Sequence, residues 1–93
     1  MIVRLRVFGA LEQYFGGSHL QVELPAGATL RDLLDAIDAG WGERLPQRFW
    51  DADARRFRGP VLMLADNADL EDDALRLSDQ QQVSILVPMA GGC

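Results

Sequence analysis

Residues 29–40, TLRDLLDAIDAG, decide the fold class, because they predict a helix with one apolar face. Thr29 and Asp32 have the spacing of a capping box, with aspartate in place of the usual glutamate, and Gly40 is expected to end the helix. A helix with a single apolar stripe needs a sheet or another helix to cover it. The stripe follows the i, i+3, i+4, i+7 spacing and consists of Leu30, Leu33, Leu34 and Ile37.

Two segments before the helix alternate between apolar and polar residues, as half-buried strands do. They are residues 2–8, IVRLRVF, and residues 19–24, HLQVEL, with a short helical turn expected over 9–15. We expect the two strands to be antiparallel, with Arg4 and Arg6 facing solvent. The residues expected to face inward are Val3, Leu5, Val7, Leu20, Val22 and Leu24.

Two further strands are predicted after the helix, at residues 61–65, VLMLA, and 83–87, VSILV. A weak element, either an edge strand or a single helical turn, is expected within residues 70–77. Residues 41–59 are interpreted as a long connection whose aromatic side chains pack onto the edge of the domain.

The order of these elements predicts an α+β domain over residues 1–88. Its mixed sheet has four to five strands, with one main helix packed across it. We expect the first and last strands to lie side by side at the centre of the sheet. Residues 89–93 then form a flexible Gly-Gly tail that leaves from this rigid support.

Composition limits the classes of function. The chain has 93 residues and a net charge of −5, which argues against nucleic acid or an anionic membrane as a partner. No segment has the apolar length of a signal peptide or membrane span, and one cysteine cannot form an internal disulfide, so a cytoplasmic location is expected. The nine basic residues are all arginines, so no lysine is present to accept an amide conjugate.

Neither the aspartates of the helix nor the single histidine predicts a catalytic or metal site. Asp32, Asp35 and Asp38 lie off the apolar stripe and are interpreted as a solvated face rather than as metal ligands. His19 is interpreted as a surface residue at a strand end.

Three segments resemble the ubiquitin-like sulfur carriers of the MoaD/ThiS type, which are small β-grasp proteins. Residues 2–16, IVRLRVFGALEQYFG, are similar to the first strand and short helix of that family, in the MoaD manner. Residues 25–37, PAGATLRDLLDAI, are similar to the start of its main helix, and residues 77–92, LSDQQQVSILVPMAGG, to its ending. One departure is Gln80-Gln81, where the family commonly has Gly-Asp.

The resemblance implies a protein that carries sulfur rather than an enzyme. Gly92 would be adenylated by an ATP-dependent, E1-like enzyme and then converted to a thiocarboxylate, while Gly91 and Gly92 thread the partner's narrow active site. The resemblance implies no bound cofactor, because the partner uses the ATP. A sulfur donor and an acceptor enzyme complete the expected partners.

Cys93 departs from this pattern, because the family reacts through a free glycine carboxylate and Gly92 is here joined to Cys93 by an amide. The favoured interpretation is that a peptidase, of the metalloprotease type known for extended sulfur carriers, cuts between Gly92 and Cys93. Two alternatives stay open. Cys93 is an added attachment point, or its thiol has a role of its own.

Several functions remain open within this resemblance. The sulfur acceptor is an amino acid, a siderophore precursor or another metabolite, or a molybdopterin precursor with this chain as the small subunit of the synthase. Other classes are a protein modifier joined through Gly92 to lysines of its targets, and an interaction module with an inert tail. An iron–sulfur ferredoxin is excluded, because it needs several cysteines.

The predicted partner interface consists of Phe8, Leu86, Pro88 and Met89. Phe8 shares its face with the arginines of the first strand, and Leu86 lies between two inward residues of the last strand. Apolar residues on an otherwise polar face indicate a docking surface. The alternative is that a loop or the 41–57 segment covers them.

Overall fold

The computed structural model describes residues 1–65, 68–70 and 72–88. The predicted tail, residues 89–93, lies outside them. A 3₁₀ turn, Gly9–Leu11, precedes the first helix. In chain order the elements are β1 (Ile2–Val7), α1 (Glu12–Phe15), β2 (His19–Glu23), α2 (Leu30–Trp41), β3 (Trp50–Asp51), β4 (Arg56–Phe57), β5 (Leu62–Ala65), β6 (Ala68–Asp69) and β7 (Gln82–Leu86).

The main sheet has five strands in the order β2-β1-β7-β5-β6. β1 runs parallel to β7, and the other neighbouring pairs are antiparallel. The prediction that the first and last strands lie side by side is therefore confirmed, as is the mixed sheet with one main helix. The inward side chains of the sheet meet the apolar stripe of α2, and the most deeply buried include Val3, Leu5, Val7, Leu33, Ile37, Val83 and Ile85.

Helix α2 begins at the predicted capping box. Thr29 is in an extended conformation, and its Oγ1 accepts a hydrogen bond from the Asp32 backbone N–H at 3.4 Å. The Asp32 carboxylate accepts in return from the Thr29 N–H at 2.9 Å. The helix continues past Gly40 to Trp41, whose ring packs against Phe15 at a centroid distance of 5.3 Å. This tertiary contact explains why the glycine does not end it.

The other two aspartates of α2 are not merely solvated, because each has a partner in the 41–59 segment, and Asp35 also pairs within the helix. Asp35 pairs with Arg31 at 3.1 Å and with Arg55 at 3.5 Å. Asp38 accepts a hydrogen bond from the indole Nε1 of Trp50 at 3.0 Å. Within residues 1–65, 68–70 and 72–88, no group of three or more His, Cys, Asp or Glu side chains is placed to hold a metal ion.

The 41–59 segment contains a hairpin that the sequence interpretation missed. β3 and β4 pair through Trp50 and Phe57, whose rings meet edge to face at 4.8 Å. Trp50 is only 2% exposed, so the segment contributes to the core and not only to the edge of the domain. The backbone N–H groups of Ala54 and Asp53 donate to the Asp51 carboxylate, which lowers the pKa of Asp51.

The weak element also differs from its predicted place. The edge strand β6 lies at Ala68–Asp69, before the predicted range of 70–77. Residues 75–77 bond instead to the backbone at the start of α2. The Leu30 N–H donates to the Leu75 carbonyl at 2.8 Å, and the Leu77 N–H donates to the Ala28 carbonyl at 2.9 Å. These two bonds form an isolated antiparallel bridge between Thr29 and Arg76, so the described residues of the predicted range contain a single bridge rather than a strand or a helical turn. No helix in the described part of the chain is long and apolar enough to cross a membrane.

Candidate docking face and carboxyl-terminal tail

In the part of the chain that the structure describes, α2 covers one face of the sheet and no helix covers the other, which we call the open face. Cross-strand partners share a face, so the register shows which side chains lie together on the open one. Arg4 of β1 is paired with Gln82 of β7, and Arg6 with Ser84. Leu62 and Leu64 of β5 extend this surface beside Leu86 and Ser84, and β2 adds His19, Gln21 and Glu23.

An apolar patch occupies one end of the open face. We define it by Phe8, Leu64, Leu86, Val87 and Pro88, which line a shallow depression together with Gly9 and Ser84. Val87 was predicted to face inward, but β7 ends at Leu86, so strand alternation does not extend to it. Phe8 is 40% exposed, so none of the loops within residues 1–65, 68–70 and 72–88 covers it, and the 41–57 segment does not cover it either. That segment packs instead on the helix side, where Trp50 bonds to Asp38. The alternative that it hides the patch is therefore wrong.

The patch lies where the chain leaves the sheet. Pro88 is the last described residue and follows β7, which is hydrogen-bonded on both sides by β1 and β5. Four residues after Pro88 reach at most about 14 Å, at roughly 3.5 Å per residue. An enzyme that acts on Gly92 must therefore come close to this end of the sheet.

The remaining predicted site residues lie outside the described residues. They are Met89, Gly91, Gly92 and Cys93, and their proposed roles in docking, threading, adenylation and cleavage stay predictions. His19 is exposed on the open face, as expected for a surface residue, and its Nδ1 lies 2.9 Å from the Oγ of Ser18.

The sequence interpretation missed three features of the open face: Leu64 in the apolar patch, the Arg4–Gln80 hydrogen bond and the Arg6–Phe8 contact. Leu64 joins the apolar patch because β5 pairs with β7, a register that the sequence does not specify. Gln80 accepts a hydrogen bond from Arg4 Nε at 3.0 Å, and the Arg6 guanidinium lies 5.2 Å from the centre of the Phe8 ring. The only sequence signal for the arginines was that they share an alternation face with Phe8.

Comparison with known proteins identifies the family. The ThiS family model matches residues 5–92, and the chain belongs to this family of ubiquitin-like proteins of the ThiS/MoaD type. The match includes Gly92 and stops before Cys93. No curated protein matches the sequence.

Solved structures of similar proteins confirm the β-grasp fold. SAMP1 from Haloferax volcanii has a TM-score of 0.79 at 18% identity, over 99% of this chain and 100% of that one. A putative molybdopterin converting factor subunit 1 from Pyrococcus furiosus has a TM-score of 0.72 at 22% identity, over 96% and 99%. A complex of subunits 1 and 2 of the molybdopterin-converting factor from Helicobacter pylori has a TM-score of 0.63 at 19% identity, over 99% of this chain and 100% of that one.

Family membership also confirms the predicted class of protein. Members of the ThiS/MoaD family are carriers or protein substrates rather than enzymes. The chain is thus a carrier protein of the ThiS/MoaD type.

Proposed function

We propose that this chain is a sulfur carrier activated by cleavage after Gly92. The exposed Gly92 carboxylate is adenylated and then converted to a thiocarboxylate. This group donates sulfur in the biosynthesis of an amino acid, a siderophore or another sulfur-containing metabolite. The observation that carries the proposal is that the family match extends through Gly92 and leaves Cys93 outside. The test is whether the chain isolated from its own host ends in a Gly92 thiocarboxylate.

The chemistry needs a free carboxylate and no catalytic side chain from this protein. The Gly92 carboxylate attacks the α-phosphorus of ATP, and pyrophosphate leaves to give an acyl-adenylate. Hydrosulfide released by the sulfur donor then attacks the acyl carbon, a substitution that needs no oxidant or reductant. The C–S bond forms and the C–O bond to AMP breaks. While Gly92 is held in an amide, the first step has no carboxylate to start from.

The tail glycines suit the proposed role because they lack a Cβ atom. Gly91 and Gly92 allow a thin, extended backbone to enter a site where a side chain would clash. The peptidase that cuts after Gly92, a metalloprotease in this proposal, has to accept the same thin segment. The adenylating enzyme, sulfur donor and acceptor enzyme then act in that order.

The apolar patch is proposed as the surface that the adenylating enzyme covers. The argument is continuity, because Leu86, Val87 and Pro88 lead directly from β7 into the tail. Phe8 is the largest exposed apolar side chain beside them. Met89 is proposed to extend this interface.

Two other functions have a specific observation in their favour. Similarity to molybdopterin-converting factor subunits from two organisms favours a small synthase subunit, which would bind a large subunit. Similarity to SAMP1 favours a modifier, and the absence of lysine would prevent it from forming lysine-linked chains on itself. Genes for a metalloprotease and a sulfhydrylase beside this gene would favour the leading proposal. A gene for a large synthase subunit would favour the first alternative, and isopeptide adducts in lysate the second.

Substitution in the apolar patch is expected to weaken recognition by the adenylating enzyme. Phe8→Ala and Leu86→Asp in the chain ending at Gly92 should each raise KM for adenylation about thirtyfold, the equivalent of about 2 kcal/mol for an apolar anchor. The value of kcat should change little, because the tail is intact. Pyrophosphate release at varied chain concentration measures both constants.

The matched control is Leu75→Asp, since Leu75 is also 40% exposed but is not part of the patch. It should leave KM unchanged. If the patch variants keep their circular dichroism spectra and behave like Leu75→Asp, the patch is not the docking surface.

A further inference from the structure

The open face carries positive charge beside the apolar patch, although the chain as a whole is acidic. We call Arg4 and Arg6 of β1 the basic strip; both side chains are exposed. The chain has a net charge of −5. Within the described residues, neither Arg4 nor Arg6 has an ion-pair partner. By contrast, the arginines on the helix side that pair with carboxylates are Arg31, Arg55 and Arg56.

The side chain of Arg4 is held in place by Gln80. Its φ is +65°, in the left-handed region that favours glycine and costs other residues about 1 kcal/mol. Its side-chain Oε1 accepts a hydrogen bond from Arg4 Nε at 3.0 Å, while its backbone N–H donates to Ile2 O at 2.6 Å. Glycine would fit the turn with less strain but would leave Arg4 without this contact. The glutamine therefore orients the Arg4 side chain at the expense of backbone strain in the turn.

Arg6 joins the basic strip to the apolar patch. Its guanidinium lies 5.2 Å from the centre of the Phe8 ring, a cation–π distance. Two carboxylates lie beside the start of β1: Glu23 of β2 is paired with Ile2, and Asp79 accepts a hydrogen bond from the Ile2 N–H at 2.8 Å. Both carboxylates lie at the Ile2 end of β1, whereas Arg6 and Phe8 lie at its other end.

We propose that Arg4 and Arg6 dock onto carboxylates that border an apolar surface of the adenylating enzyme, with Gln80 as the positioning residue for Arg4. This inference rests on the proposed function for its choice of partner. Charge complementarity supports it, because a basic strip on an acidic chain attracts an acidic surface while the rest of the chain repels it. Such pairs at the border of an interface orient the encounter and make it dependent on salt.

The test is direct binding between the chain ending at Gly92 and the purified adenylating enzyme, by calorimetry at low and high ionic strength. The double variant Arg4→Gln/Arg6→Gln should raise Kd about tenfold at low ionic strength, and most of the salt dependence should disappear. The matched control is Arg44→Gln, an exposed arginine of the 41–59 segment, which should change neither. Equal Kd values for the double variant and the control would overturn the inference, as would a wild-type chain that does not bind.

Gln80→Gly tests the positioning role separately. It should raise the free energy of unfolding by about 1 kcal/mol by relieving the left-handed glutamine. It should also raise Kd about threefold and reduce the salt dependence of binding. A purely structural role would give the stability gain alone, which would overturn the assignment to Gln80. Because calorimetry needs no turnover, binding without adenylation would count against the proposed function and not against this inference.

Discussion

The chain ending at Gly92 is expected to react with ATP on its adenylating enzyme, whereas the chain ending at Cys93 is expected to give no AMP adduct. The difference is one of chemistry rather than of affinity, because the amide between Gly92 and Cys93 leaves no carboxylate to attack ATP. Pyrophosphate release and intact-mass spectrometry of both proteins measure it. The docking face is present in both, so both should bind the enzyme.

Two variants separate the effect of the peptide bond from that of the thiol. Cys93→Ala should be as unreactive as the full chain until it is cut. The chain ending at Gly92 with Gly92→Ala should react slowly, because its methyl group restricts the backbone where the tail enters the partner. If the full chain received AMP as readily as the shortened one without cleavage, the proposed processing would be wrong and Cys93 would need a role of its own.

Trp50→Ala is expected to lower the free energy of unfolding by about 4 kcal/mol, the range typical of a buried tryptophan. Trp50 is 2% exposed, packs edge to face on Phe57 at 4.8 Å and donates its indole N–H to Asp38. Urea denaturation followed by circular dichroism measures the loss. Small domains have about 5–15 kcal/mol in total, so this variant is expected to be close to unfolding.

Two further variants keep that prediction testable. Trp50→Phe retains most of the packing but not the indole hydrogen bond, and should lose about 1–2 kcal/mol. Trp41→Ala removes a half-buried ring that packs on Phe15 and should cost less than Trp50→Ala. If Trp50→Ala cost no more than Trp41→Ala, the β3–β4 hairpin would not be part of the cooperative core.

The sequence predicted the parts of the fold that have a clear period. The helix capped by Thr29 and the four main strands each bury one face, so their apolar residues recur at the helical or strand spacing. The hairpin has strands of only two residues, too short to show alternation. The edge strand at Ala68–Asp69 is equally short, and its position depends on pairing with β5.

For the candidate site, the sequence predicted only the residues that strand alternation assigns to the open face. Alternation places Phe8 and Leu86 on the open face, and the depression that both line beside Leu64 and Ser84 confirms that location. Whether these residues dock a partner is still a prediction. Leu64 and the Arg4–Gln80 contact depend on strand order and on a left-handed turn, which no local pattern specifies.

The most direct test of the central claim is the intact mass of the protein isolated from its own host during growth that requires the sulfur product. The sulfur-carrier account predicts a chain that has lost Cys93 and in which one oxygen of the Gly92 carboxylate is replaced by sulfur. Alkylation specific for thiocarboxylates should label Gly92 in this species. A population that keeps Cys93, with no thiocarboxylate under any growth condition, would contradict the account.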